Sequence, residues 1–171
     1  MSSIYLIALG SNRPHHQFGP PPSVLRAAME ECAVLGTVTA RSAIISSIPM
    51  GAAQRHFANA ACVIDSEYDP PALLAGLQRL EREFGRRRGR RWGDRVLDLD
   101  IILWSGGQYS ARAPRASQRG SSLTIPHREF GKRRFVLDPA ASIAADWRDP
   151  SSGRSIAQIN ARLTHPRPLT R

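Results

Sequence analysis

The chain has 171 residues, of which 42% are hydrophobic and 22% are charged, a composition that suits a single globular domain with its own core. Its formal net charge is +10, and Lys132 is the only lysine among 24 lysine and arginine residues. This balance is compatible with phosphate-bearing ligands or nucleic acid, because arginine pairs bidentately with phosphate oxygens.

The cysteines and the lengths of the apolar segments indicate in which compartment the protein works. Cys32 and Cys62 have no metal-type spacing and each falls in an apolar segment, so we expect two buried free thiols in a reducing compartment. No stretch reaches the roughly 18 apolar residues that a membrane span requires. No secretory signal is apparent, and we therefore expect a soluble, cytoplasmic protein.

In the first part of the chain, the pattern predicts a strand, a turn, a loop and a helix. The apolar run 4–9 predicts a buried strand, and residues 10–12 (Gly-Ser-Asn) predict the turn that closes it. The loop 13–22 contains two adjacent histidines and three consecutive prolines, Pro20 to Pro22. Ser23 is a suitable cap for a helix that ends near residue 35.

The following segments predict two strands and a second helix. Residues 37–47 are rich in β-branched side chains and predict one strand, and residues 57–65 predict the next. Asp69, followed by two prolines, predicts the start of a helix that continues to Phe84 with leucines at helical spacing. On its flank Gln78 and Glu81 face together; ordinary helix-surface residues are the simpler interpretation of this pair.

A strand beginning at Arg95 carries the most informative pattern. Alternation along it places Leu97, Leu99, Ile101 and Leu103 on one face and Asp98, Asp100 and Ile102 on the other. The two carboxylates lie about 7 Å apart on one face. Burying them is costly unless a cation compensates their charge. The arginine run 86–91 indicates an anion-binding neighbourhood, although a surface aspartate pair opposite unrelated arginines is the alternative.

The element order β-α-β-β-α-β predicts a ferredoxin-like α+β sandwich, with both helices on one face of an antiparallel sheet and the other face free for ligands. We expect one domain, 1–171, with C-terminal additions. These are a long mobile loop at 105–121, a mixed segment at 123–138, an amphipathic helix at 155–163 and a frayed tail at 164–171.

Several segments together resemble one enzyme family. The run Arg91-Trp-Gly-x-Arg95-x-x-Asp98-Leu-Asp100-Ile-Ile resembles the signature of the 6-hydroxymethyl-7,8-dihydropterin pyrophosphokinases, which transfer pyrophosphate from ATP to a pterin alcohol in folate biosynthesis. The same family is matched in order by the 4–12 strand and turn, Phe57-Ala-Asn59-Ala-Ala, Gln78-x-x-Glu81, Gly85-Arg86, Thr124-Ile-Pro-His127 and Arg133-x-Phe135.

The resemblance implies a role for each matched residue. Asp98 and Asp100 would bind two Mg²⁺ ions, and with Arg86 and Arg95 they would form the catalytic set. The pterin site would consist of Ser47, Met50, Phe57, Asn59, Trp92 and Phe135, with the two phenylalanines stacking on the ring. The ATP site would consist of Gln78, Glu81, Arg86, Arg88, Arg95, Ile101, Thr124, His127 and Arg133.

The chain departs from the family pattern at several positions, and other functions are compatible with parts of the sequence. The departures are the Ser47-Ile48-Pro49 loop, Asp94, Arg128, Arg134 and Ser122. A catalytically weakened relative, a basic nucleic-acid-binding module and a palm-like nucleotidyl transferase are the alternatives. The few aromatic residues and the paired aspartates disfavour nucleic acid. We expect a monomer or homodimer with no nucleic-acid or membrane partner.

Overall fold

A computed structural model describes residues 1–48, 55–85, 94–111 and 122–164. The described strands are β1 Ser3–Ser11, β2 Thr37–Arg41, β3 Ile45–Ser47, β4 Phe57–Ser66, β5 Asp98–Trp104, β6 Tyr109–Ala111 and β7 Leu123–Ile125. The described α-helices are α1 Pro21–Glu31, α2 Pro70–Glu83, α3 Arg134–Ala144 and α4 Ile156–Thr164, with 3₁₀ turns at Cys32–Leu35 and Phe130–Lys132.

The main sheet has the order β2-β4-β1-β5, with β3 also paired to β4, and all of its pairs are antiparallel. This is the predicted ferredoxin-like arrangement, with the predicted strand 37–47 divided into β2 and β3. The division occurs at Ser42, whose backbone N–H donates to Ala61 O at 2.9 Å while its Oγ accepts from Ala61 N at 2.8 Å. The continuous apolar run of β1 is explained by its central position, because Leu6 and Ile7 are buried on opposite faces.

Helices α1 and α2 cover one face of the sheet, as predicted. Asp69 caps α2 by accepting the Ala72 backbone N–H at 2.9 Å. The predicted cap of α1 at Ser23 is wrong, because the extended Pro20 occupies the cap position and Pro21 begins the helix. Proline suits the first helical turn because its missing N–H has no partner there in any helix.

The opposite face is not free for ligands along its whole length, which corrects the prediction. Helices α3 and α4 pack on it and bury a second core. Helix α4 begins with a reciprocal cap in which Ser155 Oγ accepts from Gln158 N and Gln158 Oε1 accepts from Ser155 N. This helical layer therefore covers part of the face that was predicted to be free.

Strand β5 begins at Asp98 rather than Arg95, and its predicted alternation fails at one position. The pairing with β1 shifts between Leu6, opposite Leu103, and Ile7, opposite Ile101. The extra residue, Ile102, forms a bulge, so that Leu103 joins the second core instead of the core of Leu99 and Ile101.

Residues 105–111 are not loop throughout, because β6 pairs with β7 in a small antiparallel sheet. Residues 112–121 of the expected loop and residues 165–171 of the expected tail lie outside the described residues, whereas Thr164 is the last residue of α4. Cys32 and Cys62 are buried free thiols, as predicted. Within the described ranges, no helix is long and apolar enough to cross a membrane.

Candidate active site

One cavity of about 660 Å³ lies at the end of the sheet where β1 and the starts of β4 and β5 meet α2, β7 and α3. Every predicted site residue that the structure describes lines it: Ser47, Phe57, Asn59, Gln78, Glu81, Arg95, Asp98, Asp100, Ile101, Thr124, His127, Arg133 and Phe135. The predicted residues Met50, Arg86, Arg88 and Trp92 lie outside the described residues. The described residues that carried the resemblance therefore converge on one space.

The aspartates project from edge strand β5 beside small residues of β1. Asp98 pairs with Gly10 and Asp100 pairs with Ala8 in the register of the two strands. The Asp98 carboxylate accepts from Arg95 Nη1 at 2.6 Å, with both side chains about one-third exposed or less. The small residues on β1 leave room beside the carboxylates.

Asp100, the second carboxylate of the pair, is partly buried. Burial raises its pKa above the ordinary value, and the negative charge of Asp98 raises it further, while His127, Arg133 and Arg95 partly offset both effects. A bound divalent cation would relieve this unfavourable charge. The described residues contain no group of three or more His, Cys, Asp or Glu side chains suited to a metal. The two carboxylates of Asp98 and Asp100 fit Mg²⁺, because this ion commonly binds through one or two carboxylates with phosphate oxygens and water.

An aromatic and amide pocket adjoins the carboxylates on β4. Asn59 is 4% exposed and its Nδ2 donates to Ser47 Oγ at 2.7 Å, while Phe57 pairs with Ser47 across the β3–β4 ladder. A Cβ at Gly10 would lie 3.7 Å from Asn59 Oδ1 and 3.9 Å from the Phe57 ring. A glycine here keeps the space between β1 and this pocket open.

Glu81 is not a helix-surface residue, although the sequence alone favoured that interpretation. Its side chain is 3% exposed, and Oε1 accepts the backbone N–H of Leu99 at 2.8 Å. Leu99 lies between the two aspartates. Glu81 therefore ties α2 to the part of β5 that carries both carboxylates, in addition to lining the cavity.

The segment before α3 supplies the remaining cationic and aromatic side chains. The Arg133 guanidinium lies 5.9 Å from the centre of the Phe135 ring. His127 Nδ1 accepts the backbone N–H of Glu129 at 3.2 Å. In neutral His127 this bond leaves the proton on Nε2, which is then a donor. The cavity thus combines phosphate-type donors with a flat apolar pocket.

Three residues that depart from the family pattern, Arg134, Arg128 and Asp94, make different contacts in the structure. Arg134 pairs with Asp138 one helical turn away, at 3.3 Å, and Arg128 lines the cavity. Asp94 accepts from Asn12 Nδ2 at 2.8 Å. Sequence reasoning placed Asn12 in a turn and missed this contact, because it joins residues 82 positions apart.

The chain matches the family model described as 7,8-dihydro-6-hydroxymethylpterin-pyrophosphokinase (HPPK) over residues 6–145. Proteins named 2-amino-4-hydroxy-6-hydroxymethyldihydropteridine pyrophosphokinase are similar to it. The protein from Methylorubrum extorquens is 39% identical over 166 residues, covering 95% of this chain and 94% of that protein. The protein from Synechocystis is 35% identical over 156 residues, covering 90% and 73%.

A solved structure supports the fold independently of sequence. The Plasmodium falciparum HPPK-DHPS structure with pteroate superposes with a TM-score of 0.76 at 10% identity, covering 95% of this chain. This chain spans 44% of that longer protein. With the match over residues 6–145 and the curated relatives, these likenesses show that the chain belongs to the 7,8-dihydro-6-hydroxymethylpterin-pyrophosphokinase family.

Proposed function

We propose that this chain transfers a pyrophosphate group from ATP to the hydroxymethyl group of 6-hydroxymethyl-7,8-dihydropterin, giving AMP and the pterin diphosphate. The observation that carries the proposal is that Asp98, Asp100 and the pocket of Phe57, Asn59 and Phe135 line one cavity. A nucleotide triphosphate and a flat acceptor can then meet beside the carboxylates.

The pterin binds between Phe57 and Phe135, because flat heteroaromatic rings stack favourably on aromatic side chains. Asn59 and Ser47 face the same pocket and supply hydrogen-bonding groups for the edge of the ring. By the family resemblance, Met50 and Trp92 complete this site. The acceptor hydroxyl is thereby directed toward the carboxylate end of the cavity.

ATP binds along β5 and the segment that leads into α3. Gln78, Ile101, Thr124 and His127 line the nucleoside part, with Glu81 holding β5 in place. Arg95 and Arg133 contact the phosphates, and the resemblance adds Arg86 and Arg88. Arginine forks match phosphate oxygens and stabilise the charge that spreads over them during transfer.

Asp98 and Asp100 would hold two Mg²⁺ ions, which would supply positive charge to neutralise and orient the triphosphate. The protein's own contribution is positioning. The pocket on β4 aims the acceptor oxygen at the β-phosphorus. A bond forms between these two atoms, the bond from the β-phosphorus to the oxygen of AMP breaks, and the hydroxyl proton is released to solvent. Such transfer depends mainly on alignment and charge stabilisation.

We further propose that residues 1–171 act as one pyrophosphokinase domain in the cytoplasm, where the buried thiols stay reduced.

Incubation of the purified protein with ATP, Mg²⁺ and 6-hydroxymethyl-7,8-dihydropterin is expected to release AMP. The matched control omits the pterin. AMP formation that does not exceed this control would rule out the proposed transfer.

A further inference from the structure

Asn12 is a buried asparagine immediately after β1, and it makes three hydrogen bonds to two adjacent residues far along the chain. Its side chain is 1% exposed. Its backbone N–H donates to Arg95 O at 3.0 Å, and its Oδ1 accepts from Arg95 N at 2.7 Å. Its Nδ2 donates to Asp94 Oδ1 at 2.8 Å. Both side-chain polar atoms of Asn12 are therefore engaged with the segment that leads into β5.

The hydrogen bonds of Asn12 hold a part of the chain that the β1–β5 ladder does not reach. The β1–β5 ladder begins with the pair Gly10 and Asp98, so Arg95 lies outside it. Asn12 engages both the N–H and the carbonyl of Arg95, as a neighbouring strand would. The backbone of Arg95 is thus fixed although it is not in a strand.

The fixed backbone sets the position of a charged side chain in the cavity. From this point the Arg95 guanidinium reaches Asp98 Oδ1 at 2.6 Å. Rotation of the 94–95 peptide would move the guanidinium relative to Asp98. Small displacements of such groups are costly in transfer reactions, because the rate depends on the alignment of reacting groups.

We propose that Asp94 and Asn12 are positioning residues that hold Arg95, and through it the carboxylate of Asp98, in the geometry needed for transfer. Asp94 contributes an acceptor that orients the Asn12 amide. With Nδ2 committed to Asp94, Oδ1 of the same amide faces Arg95 N. A side chain without an acceptor at position 94 leaves the amide free to rotate. The proposal rests on the proposed pyrophosphate transfer.

The test compares two substitutions at Asp94, an exposed residue that can be changed with little risk to folding. Asp94→Asn keeps a side-chain oxygen that accepts from Asn12 but removes the charge. Asp94→Ala removes the acceptor. We expect kcat to fall by about tenfold in Asp94→Ala, with the KM for the pterin unchanged, and to stay within about twofold of wild type in Asp94→Asn.

Asn12→Ala and the double variant Asn12→Ala/Asp94→Ala complete the cycle. Because Asp94 acts through Asn12, we expect the double variant to be no slower than Asn12→Ala alone. The control is Glu67→Gln, an exposed carboxylate just after the end of β4 opposite to Phe57, which should leave both kinetic constants unchanged. Circular dichroism melts establish that each compared variant is folded.

The outcomes separate the positioning role from the proposed function. Wild-type protein that forms no pterin-dependent AMP contradicts the transfer itself. If wild type is active, two results overturn the positioning role: Asp94→Ala with wild-type kcat, or Asp94→Asn as slow as Asp94→Ala, which would make charge the cause. Rescue by asparagine with an unchanged pterin KM supports it.

Discussion

The carboxylate of Glu81 on α2 accepts the backbone N–H of Leu99 on β5 at 2.8 Å, at the residue between the two aspartates of the site. The backbone N–H of Leu99 is buried on an edge strand, and its hydrogen-bond acceptor is a side chain of the neighbouring helix. The spacing of Asp98 and Asp100 relative to α2 therefore depends on Glu81, which the helical pattern placed on the helix surface and the resemblance placed in the nucleotide site.

Substitution of Glu81 is expected to affect stability and turnover together. Glu81→Ala removes the acceptor for Leu99 N–H and should lower the free energy of unfolding by about 1–3 kcal/mol, the cost of an unsatisfied buried donor. Glu81→Gln retains a carbonyl acceptor and should lose less stability and less kcat than Glu81→Ala. Urea titrations and AMP-release rates measure both. Equal losses in the two variants would show that the hydrogen bond to Leu99 is unimportant.

Neutralising Asp100 is expected to abolish turnover without loss of stability. The pKa of Asp100 is raised by burial and by Asp98, so its charged form is unfavourable in the folded protein near neutral pH. Asp100→Asn removes that charge, and its melting temperature should equal or exceed that of wild type. AMP release should disappear, as it should in Asp98→Asn.

Removal of divalent cations gives the matching measurement for the carboxylate pair. EDTA should stop AMP release by wild-type protein, and excess Mg²⁺ should restore it. Activity that persists in Asp98→Asn, in Asp100→Asn or under chelation would contradict the assignment of these carboxylates to magnesium.

The aromatic pocket is expected to determine the affinity for the pterin rather than for ATP. Phe57→Ala should raise the KM for the pterin by about tenfold, because stacking and burial of the ring are lost. The KM for ATP should change little. Tyr68→Ala is the matched control, since Tyr68 is an aromatic side chain that is 45% exposed and lies beyond the opposite end of β4. An unchanged pterin KM in Phe57→Ala would place the pterin elsewhere.

His15 is expected to make stability pH-dependent. Its side chain is buried against Phe18 and Phe84, and Nδ1 accepts the Gln17 N–H at 3.1 Å. Burial lowers the pKa of His15, and the neighbouring His16 lowers it further. The pKa of His15 in the folded protein therefore lies below its unfolded value of about 6.5. Above pH 6.5 the folded protein has its full stability. As the pH falls from 6.5 toward the folded pKa, the unfolded chain binds a proton more readily and the free energy of unfolding decreases.

Urea unfolding between pH 7.5 and 5.5 tests this dependence. His15→Asn keeps an acceptor but does not titrate, so its free energy of unfolding should fall less with pH than that of wild type. His56→Asn, at an exposed position, should follow the wild-type curve. Parallel curves for wild type and His15→Asn would contradict the proposed effect of burial on His15.

Local patterns predict much of this fold, because the relevant signals are local. The order of strands and helices follows from apolar periodicity, and the cap at Asp69 follows from side-chain chemistry. The bulge at Ile102 depends on pairing with a distant strand, so alternation assigned Leu103 to the wrong face. Helix α3 was missed because Pro139 lies inside it and cannot donate the usual helical hydrogen bond.

For the candidate site, the sequence predicted the residues that line the cavity but not the contacts that hold them in place. The resemblance identified side chains that converge on one cavity although they are far apart in the chain. Their supports were not predictable, because the contacts of Asn12 with Asp94 and of Glu81 with Leu99 join residues whose own segments give no sign of them. Polar residues in a turn or on a helix usually face solvent, and only the tertiary structure shows that these two are buried.

Product balance with ATP labelled at the γ-phosphorus tests the central claim most directly. If one cavity transfers pyrophosphate between its two substrates, AMP and labelled pterin diphosphate should accumulate in equal amounts, with the label on the terminal phosphorus of the pterin product. Formation of ADP with a pterin monophosphate, or of AMP with free pyrophosphate and unmodified pterin, would contradict it.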